Sequence, residues 1–95
     1  MDRIELNHWF VGEDSLAISF WYFYVRINFI IHEEKLKYYM FIKDNFNNSL
    51  LLEFNNLSSA ISFTEDKIQH YNSIDKVLNE YKELNKNKTL KKTIR

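Results

Sequence analysis

The chain has no cysteine, no proline and a single glycine, Gly12. Without cysteine there is no disulfide framework, no thiolate metal site and no thiol nucleophile. A cysteine-free chain suits a reducing compartment. The shortage of glycine excludes a second set of functions. Phosphate-cradling loops and dinucleotide fingerprints need several glycines, because the backbone must approach the ligand closely. A nucleophile elbow needs small residues around a strained turn. Neither can be written with Gly12 alone. The start, MDRIELN, has no basic stretch followed by an apolar one, so no secretory signal is read and a cytoplasmic, intracellular location is expected.

Charge of one sign is also missing from the total, since 13 basic and 13 acidic side chains cancel. The cancellation is uneven along the chain. Residues 1–34 carry a net −4, residues 35–84 a net −1 and residues 85–95 a net +5. The expected organisation is one domain over residues 1–84 and a basic, flexible tail over 85–95. A chain of 95 residues has a small core. Its 2 Trp, 6 Tyr and 8 Phe compensate, because each ring can bury a large area.

The stretch SFWYFYVRINFII, residues 19–31, is the most apolar in the chain. A membrane-spanning helix needs about 20 apolar residues, and Arg26 and Asn28 would lie inside it. Period-two alternation accounts for the stretch better. Trp21, Phe23, Val25, Ile27, Phe29 and Ile31 form one face of a strand, with Arg26 and Asn28 on the other. A second strand alternates Leu36, Tyr38, Met40 and Ile42 with polar neighbours. With a turn at Glu33-Glu34, Ile31 faces Leu36, Phe29 faces Tyr38, Ile27 faces Met40 and Val25 faces Ile42. A slip of one residue would ruin all four pairs. The next strand, SLLLEF, places Leu50, Leu52 and Phe54 opposite Ile42, Met40 and Tyr38 across the loop DNFNN. An extra N-terminal strand, turning at Gly12-Glu13-Asp14, is expected to pair with residues 16–24.

Helical spacing follows. Leu57, Ala60, Ile61, Thr64, Ile68 and Tyr71 recur at three- and four-residue intervals, with Asn56 as cap. Ser62-x-x-Glu65 offers a second start, which would leave residues 57–61 as more strand. Ser73 caps a last helix whose stripe is Ile74, Val77, Leu78, Tyr81 and Leu84. The fold class is α+β, with a three- or four-stranded antiparallel meander followed by two C-terminal helices packed on one face.

Few residues carry chemistry. His8, His32 and His70 fall on three different elements, with no metal-ligand spacing. Glu33 and Glu34 are adjacent, so on a strand they would point to opposite faces and make a poor acid–base pair. Nothing places a serine, histidine and acid as a triad. No catalytic residue, metal or cofactor is therefore expected. Exposed contiguous aromatics usually mark a contact surface. The expected contacts are Phe20, Tyr22 and Tyr24, on the same strand face as Ile18, with the acidic turns Glu13-Asp14 and Glu33-Glu34 beside them. That aromatic face is covered by the N-terminal segment, by a second copy of the chain or by a target.

The tail KNKTLKKTIR offers Lys86, Lys88, Lys91, Lys92 and Arg95 as phosphate contacts, but no aromatic platform. The rest of the chain is acidic and opposes phosphate, so direct nucleic-acid binding is not the leading expectation. In size, in its composition and in its empty motif inventory the chain resembles small phage and mobile-element proteins, including anti-CRISPR inhibitors. The resemblance implies stoichiometric binding to a host protein or ribonucleoprotein such as a defence nuclease, with acidic patches occupying a nucleic-acid groove. The alternative is a small nucleic-acid-associated regulator that uses the basic tail.

Overall fold

The computed structural model describes residues 9–93, with side chains through residue 85. Five strands form one antiparallel meander in chain order: β1 Phe10–Val11, β2 Ser15–Ser19, β3 Phe23–His32, β4 Lys35–Asp44 and β5 Ser49–Phe54. Two helices follow, α1 Leu57–Asp66 and α2 Ile74–Thr93, with a 3₁₀ turn Ile68–His70 between them. The class is α+β as expected, with five strands where three or four were expected.

The β3–β4 hairpin has the register that alternation demands. Val25 pairs with Ile42, Ile27 with Met40, Phe29 with Tyr38 and Ile31 with Leu36. β5 continues the rows, Ile42 to Leu50, Met40 to Leu52 and Tyr38 to Phe54. The hairpin closes on Glu33 and Glu34, both left-handed at φ 52° and 64°. Such a two-residue turn matches the strand twist, although non-glycine residues adopt it at a cost. In the β4–β5 loop Asn47 is also left-handed, at φ 69°. Asp44 Oδ1 there accepts from the backbone N–H of Phe46 at 2.8 Å and of Asn48 at 2.9 Å.

The stretch 19–31 is two strands, not one. β2 ends at Ser19 and β3 begins at Phe23. The Phe20 N–H donates to the Phe23 carbonyl at 2.7 Å, leaving Trp21 and Tyr22 at the tip. The turn reverses the parity of the core face. Leu16 pairs with Ile27 and Ile18 with Val25, so even-numbered residues face the core in β2 and odd-numbered ones in β3. Ile18 is consequently buried rather than on the aromatic face, and Trp21 is 85% exposed rather than in the core. β1 pairs with β2 through Phe10–Ala17 and Val11–Leu16, after a turn in which the Gly12 N–H donates to the Ser15 carbonyl at 2.8 Å.

The helices cover one face only. Val25, Ile27, Met40 and Ile42 are fully buried beneath Ala60, Ile68 and Val77. Each large aliphatic side chain so buried contributes roughly 1.5–3 kcal/mol. α1 starts at Leu57, because the Asn56 side chain accepts from the Ser59 N–H at 2.8 Å. Residues 57–61 are therefore helix, and Ser62 lies inside it. Thr64 is fully buried, and its hydroxyl donates to the Ala60 carbonyl at 2.9 Å. Ser73 Oγ accepts from the Lys76 N–H at the start of α2. Tyr81 anchors α2. Its ring meets Phe54 edge-on at 5.5 Å, and its hydroxyl donates to the Glu53 carbonyl at 2.6 Å. The α2 backbone runs past Leu84 to Thr93.

Candidate binding surfaces

A meander places alternate turns at opposite ends of the sheet. One end carries the β2–β3 tip and the β4–β5 loop. The other carries the β1–β2 turn and the β3–β4 turn. This sorts the expected contact residues. Tyr22 sits at the first tip, 44% exposed, and Tyr24 follows on the outer face of β3. Phe20 is half-buried and packs against the core, so the three rings do not form one exposed row. Glu33 and Glu34 lie at the far end of β3, nine or more residues from Tyr24, which is roughly 30 Å of strand. Glu13 and Asp14 are exposed toward that same far end, where the Asp14 carbonyl accepts from the Phe29 N–H at 2.9 Å. The aromatic and acidic groups therefore do not share a patch.

The structure instead places two exposed rings on neighbouring turns, which alternation could not relate. Trp21 on the β2–β3 tip is 85% exposed, and Phe46 on the β4–β5 loop is 81% exposed. Their turns are neighbours, since Phe23 pairs with Asp44. The Asn45 side-chain amide donates to the Trp21 carbonyl at 3.4 Å and links them. The Asp44 hydrogen bonds hold the Phe46 loop in one shape. Alternation places Trp21 on the core face and says nothing of Phe46 within the loop DNFNN. The overlooked signal was a bulky apolar residue at the centre of a loop otherwise built from Asp and Asn.

Titratable groups pair for structure rather than converging. The Lys37 ammonium donates to Glu53 Oε2 at 2.8 Å, and that hydrogen bond with its charge attraction raises the lysine pKa. The Tyr71 hydroxyl donates to Glu80 Oε1 at 2.7 Å, which raises the tyrosine pKa and lowers that of the acid. His32 lies 3.9 Å from Glu33 at the exposed hairpin turn, His70 is in the 3₁₀ turn, and His8 lies outside the described residues. No three His, Asp or Glu side chains among the described residues are placed to hold a metal ion. The side chains of Lys86, Lys88, Lys91, Lys92 and Arg95 lie outside the described residues. Among those that are described, no helix is long and apolar enough to cross a membrane. No protein-family model, curated protein or solved structure matches the chain.

Proposed function

We propose that the chain is a non-catalytic binding protein that acts as a stoichiometric inhibitor of a host macromolecule such as a defence nuclease. One observation carries this reading: Trp21 and Phe46 stand exposed on adjacent, hydrogen-bonded turns. Exposed apolar residues grouped in a patch mark contact surfaces, and Trp and Tyr dominate the energetics of protein contacts. Turns tied to each other and to strand ends present those rings with little ordering left to do on binding. Tyr22 extends the patch. The acidic turns Glu13-Asp14 and Glu33-Glu34 give the opposite end the sign that suits a basic groove.

The test is capture from host lysate by the wild-type chain and by Trp21→Ala/Phe46→Ala. The account expects one partner in near-equal molar amount with the wild type and its loss with the folded double variant. Equal recovery by both chains removes the aromatic turns from the contact.

A further inference from the structure

The sheet has a second face, away from the helices, and its composition differs from that of the whole chain. The register places Tyr24, Arg26, Asn28, Ile30 and His32 of β3 on it, beside Lys35, Lys37, Tyr39, Phe41 and Lys43 of β4. Cross-strand rows extend it: Ser19–Tyr24–Lys43–Ser49, Phe10–Ala17–Arg26–Phe41–Leu51 and Ser15–Asn28–Tyr39–Glu53. The acids are sorted away from it. Glu53 is the one carboxylate among its described strand residues, and Lys37 engages it at 2.8 Å. No ion pair between described residues occupies Arg26, Lys35 or Lys43. The chain is acidic up to residue 84, yet this face is cationic.

We propose that this outer face binds a single strand of nucleic acid, with bases stacked on Tyr24, Tyr39 and Phe41 and phosphates met by Arg26 and Lys43. Base stacking on aromatic side chains within a positively charged groove or surface is how proteins hold single strands without reading sequence. The two central strands supply both components. Successive outer residues of β4 are about 6.8 Å apart, so Tyr39 and Phe41 stand side by side with Lys43 next in line. Tyr24 pairs laterally with Lys43, and Arg26 with Phe41, so each cation adjoins a ring. A second copy of the chain is the poorer occupant. Two such faces brought together would set Arg26, Lys35 and Lys43 against their own kind. A duplex is also poorer, because its bases are already stacked and leave the rings nothing to hold.

The Tyr24–Lys43 end of this outer face borders the turns proposed above, but the site does not use the Trp21 or Phe46 side chains. Trp21→Ala/Phe46→Ala is therefore expected to keep it. The experiment is fluorescence anisotropy of the full chain with labelled twelve-nucleotide dT and U oligomers and a dT·dA duplex. Salt is varied from 50 to 200 mM. The single strands are expected to bind and the duplex to bind more weakly. With one phosphate neutralised by each of Arg26 and Lys43, the slope of log affinity against log salt should be about −1.4. A preference for U assigns RNA as the source, and equal affinity assigns any single strand. Either result supports the site.

Tyr24→Ala should weaken binding about 5- to 160-fold, the range of one base stack. Arg26→Glu/Lys43→Glu should weaken it further and flatten the slope by about 1.4. All three residues are exposed, so these variants are expected to fold, which circular dichroism checks.

Four results would overturn the proposal. One is the absence of single-strand binding at 50 mM salt. Another is binding that survives both variants and disappears when Lys86, Lys88, Lys91, Lys92 and Arg95 are all changed to Gln. A third is poly-glutamate binding as tightly as dT, indifferent to Tyr24, which makes the face a contact for an acidic protein. The last is a dimer in sedimentation that Arg26→Glu/Lys43→Glu dissolves.

Discussion

Trp9 Nε1 donates to Glu65 Oε2 at 3.0 Å, joining the segment ahead of β1 to helix α1 across 56 positions of sequence. The indole itself is buried in the core. The contact clasps the short edge strand, which has only two residues of ladder, to the helical layer. Glu65→Ala should remove about 1–2 kcal/mol of stability, the cost of a charge-assisted hydrogen bond at a part-buried site. Glu65→Gln keeps an acceptor and should lose less. Urea denaturation of the two variants checks the order.

The β3–β4 turn is strained at both positions, since Glu33 and Glu34 are left-handed. Asn-Gly is the pair this geometry prefers. Glu33→Asn/Glu34→Gly should raise stability by about 1–2 kcal/mol. If the acidic turn contacts the target, the same variant is more stable and yet binds more weakly. Denaturation and capture, measured on one preparation, separate the two effects.

Stability should fall in acid through two depressed carboxylates. For Glu80 the largest cause is the hydrogen bond from Tyr71, and the nearby Lys67 ammonium adds to it. For Asp44, burial is the largest single influence and pushes upward, but hydrogen bonds from the Asn48 side chain and the Phe46 and Asn48 N–H groups together outweigh it. Each folded-state pKa lies below its unfolded value. The stabilisation is therefore complete above the ordinary carboxylate range and is lost as pH falls through the depressed values. Thermal midpoints from pH 7 down to pH 2 should drop in that acid window. Asp44→Ala should lower the midpoint at neutral pH and shrink the acid-dependent part of the drop.

Ile27 and Met40 are fully buried partners at the centre of the sheet. Replacing either with Ala should cost about 2–5 kcal/mol, from lost burial and the cavity left behind. Trp21→Ala/Phe46→Ala should change stability by less than about 0.5 kcal/mol, because both rings stand in water. Urea midpoints test the contrast. A large loss in the double variant would mean that the rings serve folding.

Much of the sheet was legible because one face is buried. The rows Val25–Ile42–Leu50 and Ile27–Met40–Leu52 follow from alternation alone, since any slip would expose them. The caps at Asn56 and Ser73 follow from side-chain chemistry at helix starts. The break at Phe20, Trp21 and Tyr22 was hidden because no Gly, Pro, Asn or Asp marks it. Its trace is a parity change: Leu16 and Ile18 are apolar at even positions, Val25 and Ile27 at odd ones. An unbroken strand cannot bury both sets. Alternation also does not show how far the helices reach. Ile31 belongs to the core face but is 76% exposed, because the hairpin extends past its cover. The site was less legible still. Trp21 and Phe46 come to neighbouring turns only through the lateral pairing of β3 and β4, and segment-by-segment charge counts conceal a cationic face on an acidic domain.

The most direct test of the central claim is the molar ratio of partner recovered by the wild-type chain and by the folded Trp21→Ala/Phe46→Ala variant, measured by quantitative mass spectrometry of affinity-purified complexes. The account predicts a near-equimolar partner with the wild type and at least a tenfold loss with the variant, corresponding to about 1.4 kcal/mol or more of lost contact energy. An unchanged ratio would contradict it.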